Sequence, residues 1–220
     1  MIKISKRLEV ISSLISNGAR IVDIGCDHGF LSIYLWQSQK VKRVIAADIN
    51  ENALSNAKKN IKKYKLDDVI ETRLGDGLEV ICEQDEIDSL VIAGMGEHTI
   101  VGMLKKNRNK LKNIKSMVIQ SNTRIEFLRR EVVKLGYMIQ DEEILQDGKK
   151  IYTIIHFVQG KRYYSRREYY FGPILLKKNS ELFKEYNKQE LAKLQIIEKM
   201  VPRNKFLERY QINRKIKLYK

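Results

Sequence analysis

Short continuous apolar runs alternate along this chain with stretches whose apolar residues recur at helical spacing, which predicts strands alternating with helices. Continuous apolar runs are typical of parallel strands that helices cover on both faces. The predicted strands are residues 20–24, 41–47, 69–74, 87–92 and 117–120, and the predicted helices are residues 6–15, 30–36, 50–63 and 123–135. This alternation predicts an α/β fold with a doubly wound, Rossmann-like parallel sheet.

The last part of the predicted sheet follows a different pattern. Residues 137–145 and 150–158 form two adjacent strands joined through Asp147 and Gly148, a dipeptide typical of tight hairpins. Thr123 and Glu126 have the spacing of a capping box at the start of the preceding helix. A doubly wound sheet that ends in an antiparallel hairpin is typical of class I methyltransferases, and we expect this fold.

The chain after residue 160 differs from the chain before it. Apolar residues recur at helical spacing over residues 174–201, Pro202 interrupts them, and residues 206–218 form a second helix. We therefore predict a Rossmann-like domain of residues 1–160 and a basic, antiparallel, coiled-coil-like helical pair in residues 161–220. The predicted core of that pair is an apolar seam of Leu175, Leu182, Tyr186, Leu194, Ile197 and Val201.

The turn after the first strand carries the most informative chemistry. Gly25 allows the sharp exit from the strand, and Gly29 lets the next helix lie close to it. A nicotinamide-dinucleotide turn has the spacing G-x-G-x-x-G instead and directs backbone amides at a pyrophosphate. The carboxylate of Asp27 would repel that anion, whereas it attracts a sulfonium and an ammonium. The turn therefore predicts S-adenosylmethionine as the cofactor.

Further acidic residues follow the next two predicted strands. Asp48 lies about 20 positions beyond the glycine turn, where an acidic residue binds ribose hydroxyls. Asp76 is placed to accept a hydrogen bond from the amine of adenine, or it belongs to a plain solvated turn. The predicted cofactor-binding residues are Asp23, Gly25, Cys26, Asp27, Gly29, Asp48, Asp76 and Gly94.

The charge of the chain is unevenly distributed. Lysine and arginine number 42 against 27 acidic residues, which gives a net charge of +15. A Lys-rich composition is also what an AT-rich genome encodes, but residues 161–220 alone hold 17 Lys and Arg against 6 Glu, a net charge of +11. A basic appendage on a nearly balanced domain predicts a polyanionic partner. The Tyr and Arg residues at positions 162–170 belong either to packing between the domains or to base stacking on looped RNA.

Other features of the sequence limit its location and chemistry. No apolar run is long enough to cross a bilayer and the first residues lack a signal-peptide pattern, so we predict a cytoplasmic protein that binds no membrane. Cys26 and Cys82 have neither the number nor the spacing of a zinc site or a disulfide framework, so we predict no metal. We expect a monomer.

Several motifs together resemble the bacterial tRNA adenine N1-methyltransferases that modify position 22, a family often called TrmK. The motifs are Ser-Lys-Arg-Leu at 5–8, Asp-Ile-Gly-Cys-Asp-His at 23–28, Ala-Gly-Met-Gly at 93–96 and Gln-Ser-Asn at 120–122, with the C-terminal helical pair. Ser121 and Glu97 stand where the family commonly has Pro and Gly. The resemblance implies methyl transfer from S-adenosylmethionine to N1 of an adenine in tRNA.

Adenine N1 carries an in-plane lone pair and no proton, so a general base is not obligatory for its methylation. The loop at 93–96 also lacks the N/D-P-P-Y/F pattern of enzymes that methylate the exocyclic amine. Asp27 is placed to stabilise the cationic product, and His28 either holds the base, orients Asp27 or caps the next helix. The predicted catalytic residues are Asp27, His28, Met95 and Asn122, and the predicted RNA-binding residues are Lys6, Arg7, Arg162, Arg166, Arg167, Lys177 and Lys178.

Two alternatives share part of this pattern. A small-molecule or protein methyltransferase has the same turn, Asp48 and Asp76, but no use for the basic appendage. A non-catalytic RNA-binding module that keeps an old cofactor pocket explains the appendage without the reaction.

Overall fold

A computed structural model describes residues 1–202 and 204–219 of the chain. Its centre is a seven-stranded sheet in the order β3-β2-β1-β4-β5-β7-β6. The strands are β1 (Ala19–Ile24), β2 (Val41–Asp48), β3 (Ile70–Leu74), β4 (Ser89–Met95), β5 (Ser116–Ser121), β6 (Tyr137–Asp147) and β7 (Lys150–Gln159). Strands β1 to β5 are parallel, and β7 pairs antiparallel with both β5 and β6. The predicted class I sheet with a terminal hairpin is confirmed.

The helices lie between and after the strands. They are α1 (Lys6–Ser13), α2 (Phe30–Gln37), α3 (Glu51–Lys63), α4 (Glu97–Lys106), α5 (Ile125–Lys134), α6 (Arg166–Phe171), α7 (Pro173–Lys178), α8 (Glu181–Met200) and α9 (Phe206–Ile216). Single 3-10 turns occur at Gly77–Val80, Glu83–Asp85, Lys110–Lys112 and Lys217–Tyr219.

Both faces of the central strands β1, β4 and β5 are buried, as the continuous apolar runs predict. Successive residues of a strand point to opposite faces. Val22 and Leu90 therefore pack in one cluster with α4 and α5, whereas Ile21 and Val91 pack in another with α1, α2 and α3. The two clusters hold β1 and β4 at the centre of the sheet, where the strand order reverses. Ligands of open α/β sheets bind at the carboxyl ends of the strands at this point.

The predicted capping box at Thr123 is wrong. The N-cap of α5 is Arg124, whose backbone is left-handed at φ 40°, and no side chain caps the helix. The Thr123 hydroxyl donates instead to Glu97, a residue 26 positions earlier in the chain. The Thr123 hydroxyl therefore bonds to a residue that is distant in sequence and does not cap its own helix.

The predicted helix over residues 174–201 is interrupted. Asn179 ends α7 in a left-handed conformation, and the Ser180 hydroxyl caps α8 by accepting a hydrogen bond from Phe183 N. This pair of residues has the local chemistry of a helix stop followed by a helix start. The sequence therefore contained the signal for the break.

The C-terminal helical pair is present, but its predicted core is mostly not buried. Phe183 is the buried residue of α8, and α9 buries none of its described residues. Leu175 packs with Phe183, whereas Ile197 is 46% exposed. The prediction of a buried seam is wrong for the distal part of α8. Two helices that pack on each other without a third element do not enclose a core.

A buried ion pair attaches the C-terminal segment to the sheet. Arg129 Nε of α5 donates to Glu142 Oε1 of β6 at 2.7 Å, and both side chains are almost fully buried. The Arg129 guanidinium also donates to the backbone carbonyls of residues 169–171, and Glu142 Oε2 accepts from Ile174 N. These bonds fix α6 and the start of α7 against α5 and β6.

We expect Arg129→Met to lower the free energy of unfolding by about 3 to 5 kcal/mol, because it leaves the Glu142 carboxylate buried without its cation. Urea denaturation measures the change. Lys184→Ala removes an exposed ion pair with Glu181 and is the control, with an expected loss below about 1 kcal/mol. Equal losses in the two variants would contradict the structural importance of the buried pair.

Candidate active site

We call the carboxyl ends of β1 to β5 the catalytic edge. The turn after β1 is tied to the end of β2, because Gly25 N and Cys26 N both donate to Ala47 O, at 2.8 and 3.0 Å. Gly25 and Gly29 have left-handed backbones, with φ of 75° and 70°. A side chain at Gly25 would also collide with Met95, the last residue of β4. Gly25 therefore meets the structural need that the sequence predicted for it, whereas a Cβ at Gly29 would meet Ala57 of α3 and not the strand.

Asp48 organises the acidic part of the catalytic edge. Its carboxylate accepts from Asp27 N at 3.1 Å and from Asn50 N at 2.9 Å. Asp27 has a left-handed backbone, and its side chain is 70% exposed. Asp48 thus links the turn after β1 to the start of α3, and the Asp27 carboxylate is largely exposed beside them.

Asp23 has a different position from Asp27. Its carboxylate is buried beneath the turn and accepts a hydrogen bond from the Ser32 hydroxyl of α2 at 2.8 Å. Burial raises the pKa of Asp23 to about 6, the hydrogen bond from Ser32 opposes this shift, and the nearby Asp48 adds to it. Asp23 therefore stabilises the turn from its buried side, by accepting a hydrogen bond from α2.

The other residues of the turn have distinct environments. Cys26 is buried, and burial with three neighbouring aspartates raises the pKa of its thiol, so the thiol packs as a small neutral group. The His28 ring stacks on Phe30, and its Nε2 lies 3.6 Å from Asp27 Oδ2. The N-cap of α2 is Gly29 with no side-chain cap, so the interpretation of His28 as a helix cap is wrong.

Asp76 follows β3 at the same edge. Its side chain is half exposed, and its Oδ2 lies 3.3 Å from Nζ of Lys106, which also pairs with Glu79 at 2.6 Å. These two carboxylates raise the pKa of Lys106. Asp76 is thus partly neutralised and keeps capacity to accept further hydrogen bonds.

Side-chain amides join the end of β4 to the end of β5 and the residues after it. The sequence predicted a loop at residues 93–96, but β4 continues to Met95. Gln120 Oε1 accepts from Gly94 N at 3.1 Å and from the Arg7 guanidinium at 2.7 Å, and Gln120 Nε2 donates to Asn122 Oδ1. Asn122 Nδ2 donates to Gly94 O at 2.6 Å, and Asn122 N donates to Met95 O. The end of β4, at Gly94 and Met95, therefore has a fixed shape.

A second set of contacts lies beside the first. Ser121 Oγ lies 3.3 Å from Met95 O and 2.9 Å from Thr123 O, and the Thr123 hydroxyl donates to the buried Glu97. This hydrogen bond lowers the pKa of the Glu97 carboxyl. Ser121 and Glu97 are the two positions at which the sequence departs from the common residues of the family it resembles. Both contribute to the contacts between residues 95–97 and residues 121–123.

The predicted RNA-binding residues fall into three groups. Arg7 belongs to the catalytic edge, since its guanidinium contacts Gln120 and lies 5.4 Å from the centre of the Tyr152 ring. Lys178 pairs with Asp141 and Glu143 of β6. The exposed remainder comprises Lys6, Arg162, Arg166, Arg167 and Lys177.

Most of the tyrosines beside these arginines are used in packing. The Tyr164 hydroxyl accepts from Ile139 N, Tyr169 lies beneath the Arg130 guanidinium, and Tyr170 packs edge-on against Phe171. Tyr163, by contrast, is fully exposed. The packing interpretation is therefore correct for most of this cluster.

A cleft of about 650 Å³ connects the catalytic edge to the C-terminal helices. It begins at the loop after β5, at residues 121–124, passes α5 and reaches α8 and α9, where Tyr186 and Arg214 line it. We call it the C-terminal cleft. None of its lining residues belongs to the turn after β1, so it is separate from the predicted cofactor site.

Two absences apply to the described residues only. No helix in residues 1–202 and 204–219 is long and apolar enough to span a bilayer. Within the same residues, no group of three or more His, Cys, Asp and Glu side chains is arranged to hold a metal ion.

Comparison with known proteins identifies the family. The sequence model of TrmK, described as tRNA (adenine(22)-N(1))-methyltransferase, matches residues 21–220. The chain belongs to this family. It is 33% identical over 202 residues to the tRNA (adenine(22)-N(1))-methyltransferase of Bacillus subtilis, a match that covers 89% of this chain and 84% of the relative. TrmK membership confirms the predicted resemblance, the enzyme class and the cofactor, S-adenosylmethionine.

Solved structures of TrmK proteins have the same fold. The crystal structure of B. subtilis TrmK is 29% identical and superposes with a TM-score of 0.92 over 99% of this chain and 97% of that one. Streptococcus pneumoniae Sp1610 in complex with S-adenosyl-L-methionine is 33% identical, with a TM-score of 0.91 over 98% and 97% of the two chains. M. capricolum TrmK in complex with S-adenosyl-homocysteine is 32% identical, with a TM-score of 0.87 over 98% and 95%.

Three residues of this site were not predicted from the sequence. Gln120 was recognised only as part of a motif, and no role was predicted for Arg124 or Glu97. The contacts of these residues join parts of the chain that are far apart in sequence, such as Arg7 and Gln120. The departure of Glu97 from the common family residue was the one available signal.

The raised pKa of Asp23 predicts a pH-dependent stability. The folded-state pKa of about 6 lies above the ordinary 3.8, so ionisation of Asp23 destabilises the folded state. This cost is absent below about pH 4, grows as the pH rises to about 6 and is constant above that value. Asp23→Asn lacks the ionisable group and avoids the cost.

We therefore expect the free energy of unfolding of Asp23→Asn, relative to wild type, to rise by about 3 kcal/mol between about pH 4 and pH 8. Urea denaturation at several pH values measures this difference. Asp67→Asn, at an exposed position before β3, is the control. Its free energy of unfolding relative to wild type should be the same at every pH. A difference between Asp23→Asn and wild type that does not change with pH would refute the assignment.

Proposed function

We propose that this chain transfers a methyl group from S-adenosylmethionine to N1 of the adenine at position 22 of tRNA. The observation that carries the proposal is the meeting, at one sheet edge, of the carboxylate-bearing turn after β1 and the hydrogen-bonded end of β4 at Gly94 and Met95. Membership of the TrmK family supports the position in tRNA. The cytoplasm, where tRNA is modified in bacteria, is the proposed location.

The side of the catalytic edge formed by β1, β2 and β3 fits S-adenosylmethionine. Asp48 is assigned to the ribose hydroxyls, and Asp76, at the end of the next strand, to the adenine amine. The exposed carboxylate of Asp27 attracts a sulfonium and an ammonium. Gly25 and Gly29 shape the turn that lies against the ligand. The bound cofactor supplies an electrophilic methyl group on its sulfonium.

The side formed by β4 and β5 is assigned to the target adenine. Because N1 has a lone pair and no proton, the residues here need only orient the base and exclude water. Met95 lies against Gly25 and so separates the two sides of the catalytic edge. Asn122 fixes the end of β4 by donating to Gly94 O. Neither residue is required to move a proton.

Asp27 and His28 are assigned to the charge that develops in the reaction. N1-methyladenine is a cation, so a carboxylate near the reacting nitrogen stabilises the charge as the new bond forms. The nearby His28 ring, which Phe30 holds by stacking, orients Asp27. No general base is needed in this scheme.

The basic residues are assigned to the tRNA. A target adenine inside a folded tRNA has to be unstacked or flipped before its N1 edge is presented. In this proposal, residues 1–160 form the methyltransferase domain and residues 161–220 form the domain that holds the RNA backbone. The exposed cations Lys6, Arg162, Arg166, Arg167 and Lys177 bind phosphates, whereas Lys178 contributes less because two carboxylates already pair with it.

Methyl transfer from labelled S-adenosylmethionine into tRNA tests the proposal. We expect the wild-type protein to form N1-methyladenine and Asp27→Asn to lower kcat about 10²-fold, because the side chain keeps its shape but loses the charge that opposes the developing cation. Digestion of the tRNA and identification of the labelled nucleoside measure both.

Asp67→Asn removes an exposed carboxylate before β3, away from the catalytic edge, and should keep the wild-type rate. Label in N6-methyladenine would contradict the assigned nucleophile. Label in no nucleoside would contradict tRNA as the substrate.

A further inference from the structure

Arg124 has a backbone conformation that is unusual for its residue type. As the N-cap of α5 it is left-handed, with φ 40° and ψ 55°, a region that favours glycine and asparagine. Its side chain does not cap the helix. Non-glycine residues persist in this region where their surroundings hold them, and such positions cluster at functional sites.

Three neighbours hold the Arg124 side chain in one place. Its guanidinium carbon lies 5.2 Å from the centre of the Phe127 ring, its Nη1 lies 3.1 Å from His98 Nε2, and its Nε lies 3.8 Å from Glu97 Oε1. The side chain nevertheless remains 62% exposed. Arg124 therefore presents a guanidinium of fixed orientation to the solvent.

Arg124 lies where the catalytic edge meets the C-terminal cleft. It follows Asn122 and Thr123, whose side chains donate to Gly94 O and to Glu97. It lines the cleft at the end nearest to these contacts. An RNA strand that reaches from the target base to α8 and α9 through this cleft passes Arg124 first. Arg124 thus lies beside the part of the catalytic edge that is assigned to the target adenine.

The charge of the C-terminal cleft favours a polyanion. Arg129 also lines the cleft, but it is paired with Glu142. The other cations that line it are Arg124, Arg130, Arg166, Arg214 and Lys215, and the carboxylates in the lining are those of Glu126 and Glu190.

The geometry points to Arg124 as an RNA-contacting residue that binds the backbone phosphate beside the target adenosine and so fixes the entry of the strand into the C-terminal cleft. A planar guanidinium matches two phosphate oxygens at once. A phosphate is the better partner than the base itself, because the methylated base is cationic and a second cation would repel it. This inference rests on the proposed function and names a contact within it.

Arg124→Gly separates this role from a structural one. Glycine adopts the left-handed conformation readily, so the start of α5 is preserved while the guanidinium is lost. We expect the variant to keep the wild-type affinity for S-adenosylmethionine and to raise KM for tRNA about tenfold. The slope of log affinity for tRNA against log salt concentration should fall by about 0.7 to 1, the value for one lost phosphate contact.

Arg108→Gly is the matched control, because Arg108 is exposed in the turn after α4 at the opposite edge of the sheet. It should match the wild type in KM and in salt dependence. Arg124→Lys keeps the charge without the planar fork and should fall between the wild type and Arg124→Gly. Wild-type KM and salt slope in Arg124→Gly would overturn the inference and leave the proposed function intact.

The salt titration also separates the two claims. If the wild type binds tRNA but methylates none, the proposed function fails, and the change of slope in Arg124→Gly still decides the role of Arg124. If the wild type binds no tRNA, both are overturned.

Discussion

The arrangement of the catalytic edge depends on the hydrogen bonds of one buried amide, that of Gln120. Its oxygen accepts from Arg7 and Gly94, and its nitrogen donates to Asn122. The side chain is fully buried, so each of these bonds is stronger than in water, and each unmade bond leaves a desolvated polar group. Since the bonds join α1, the end of β4 and the loop after β5, these three segments keep one relative position.

The two sides of the catalytic edge carry different chemistry. The exposed carboxylate of Asp27 and the partly exposed carboxylate of Asp48 lie at the ends of β1 and β2, whereas amides and the Arg7 guanidinium border β4 and β5. An acidic side suits a methyl donor that is positively charged, and a side rich in amides and cations suits a nucleotide within a polyanion. The C-terminal cleft continues the cationic side toward α8 and α9. The charge pattern of the molecule therefore matches the two partners of the proposed reaction.

Local patterns predicted most of the fold, and tertiary contacts explain the failures. The strands, the Gly25 turn and the terminal hairpin depend on neighbouring residues and were predicted correctly, except that β4 continues to Met95, beyond its predicted end at residue 92. The helix α4 was not predicted. The Thr123 capping box failed because Glu97, distant in sequence, took the hydroxyl. The prediction of a buried apolar seam in α8 failed because the spacing of apolar residues does not show whether another element covers them. The roles of Gln120 and Arg124 depend on which loops meet at the sheet edge, which spacing alone does not specify.

The kinetics of Gln120→Met test the central claim most directly, namely that this amide holds the target side of the catalytic edge in place. The variant keeps a similar volume but loses every hydrogen bond of the amide. We predict an unchanged affinity for S-adenosylmethionine and a kcat for tRNA methylation about 10²-fold lower, the cost of a misplaced reacting group. Gln120→Glu, which keeps the acceptor for Arg7 and Gly94, should lose less. An unchanged kcat in a folded Gln120→Met variant would contradict the account.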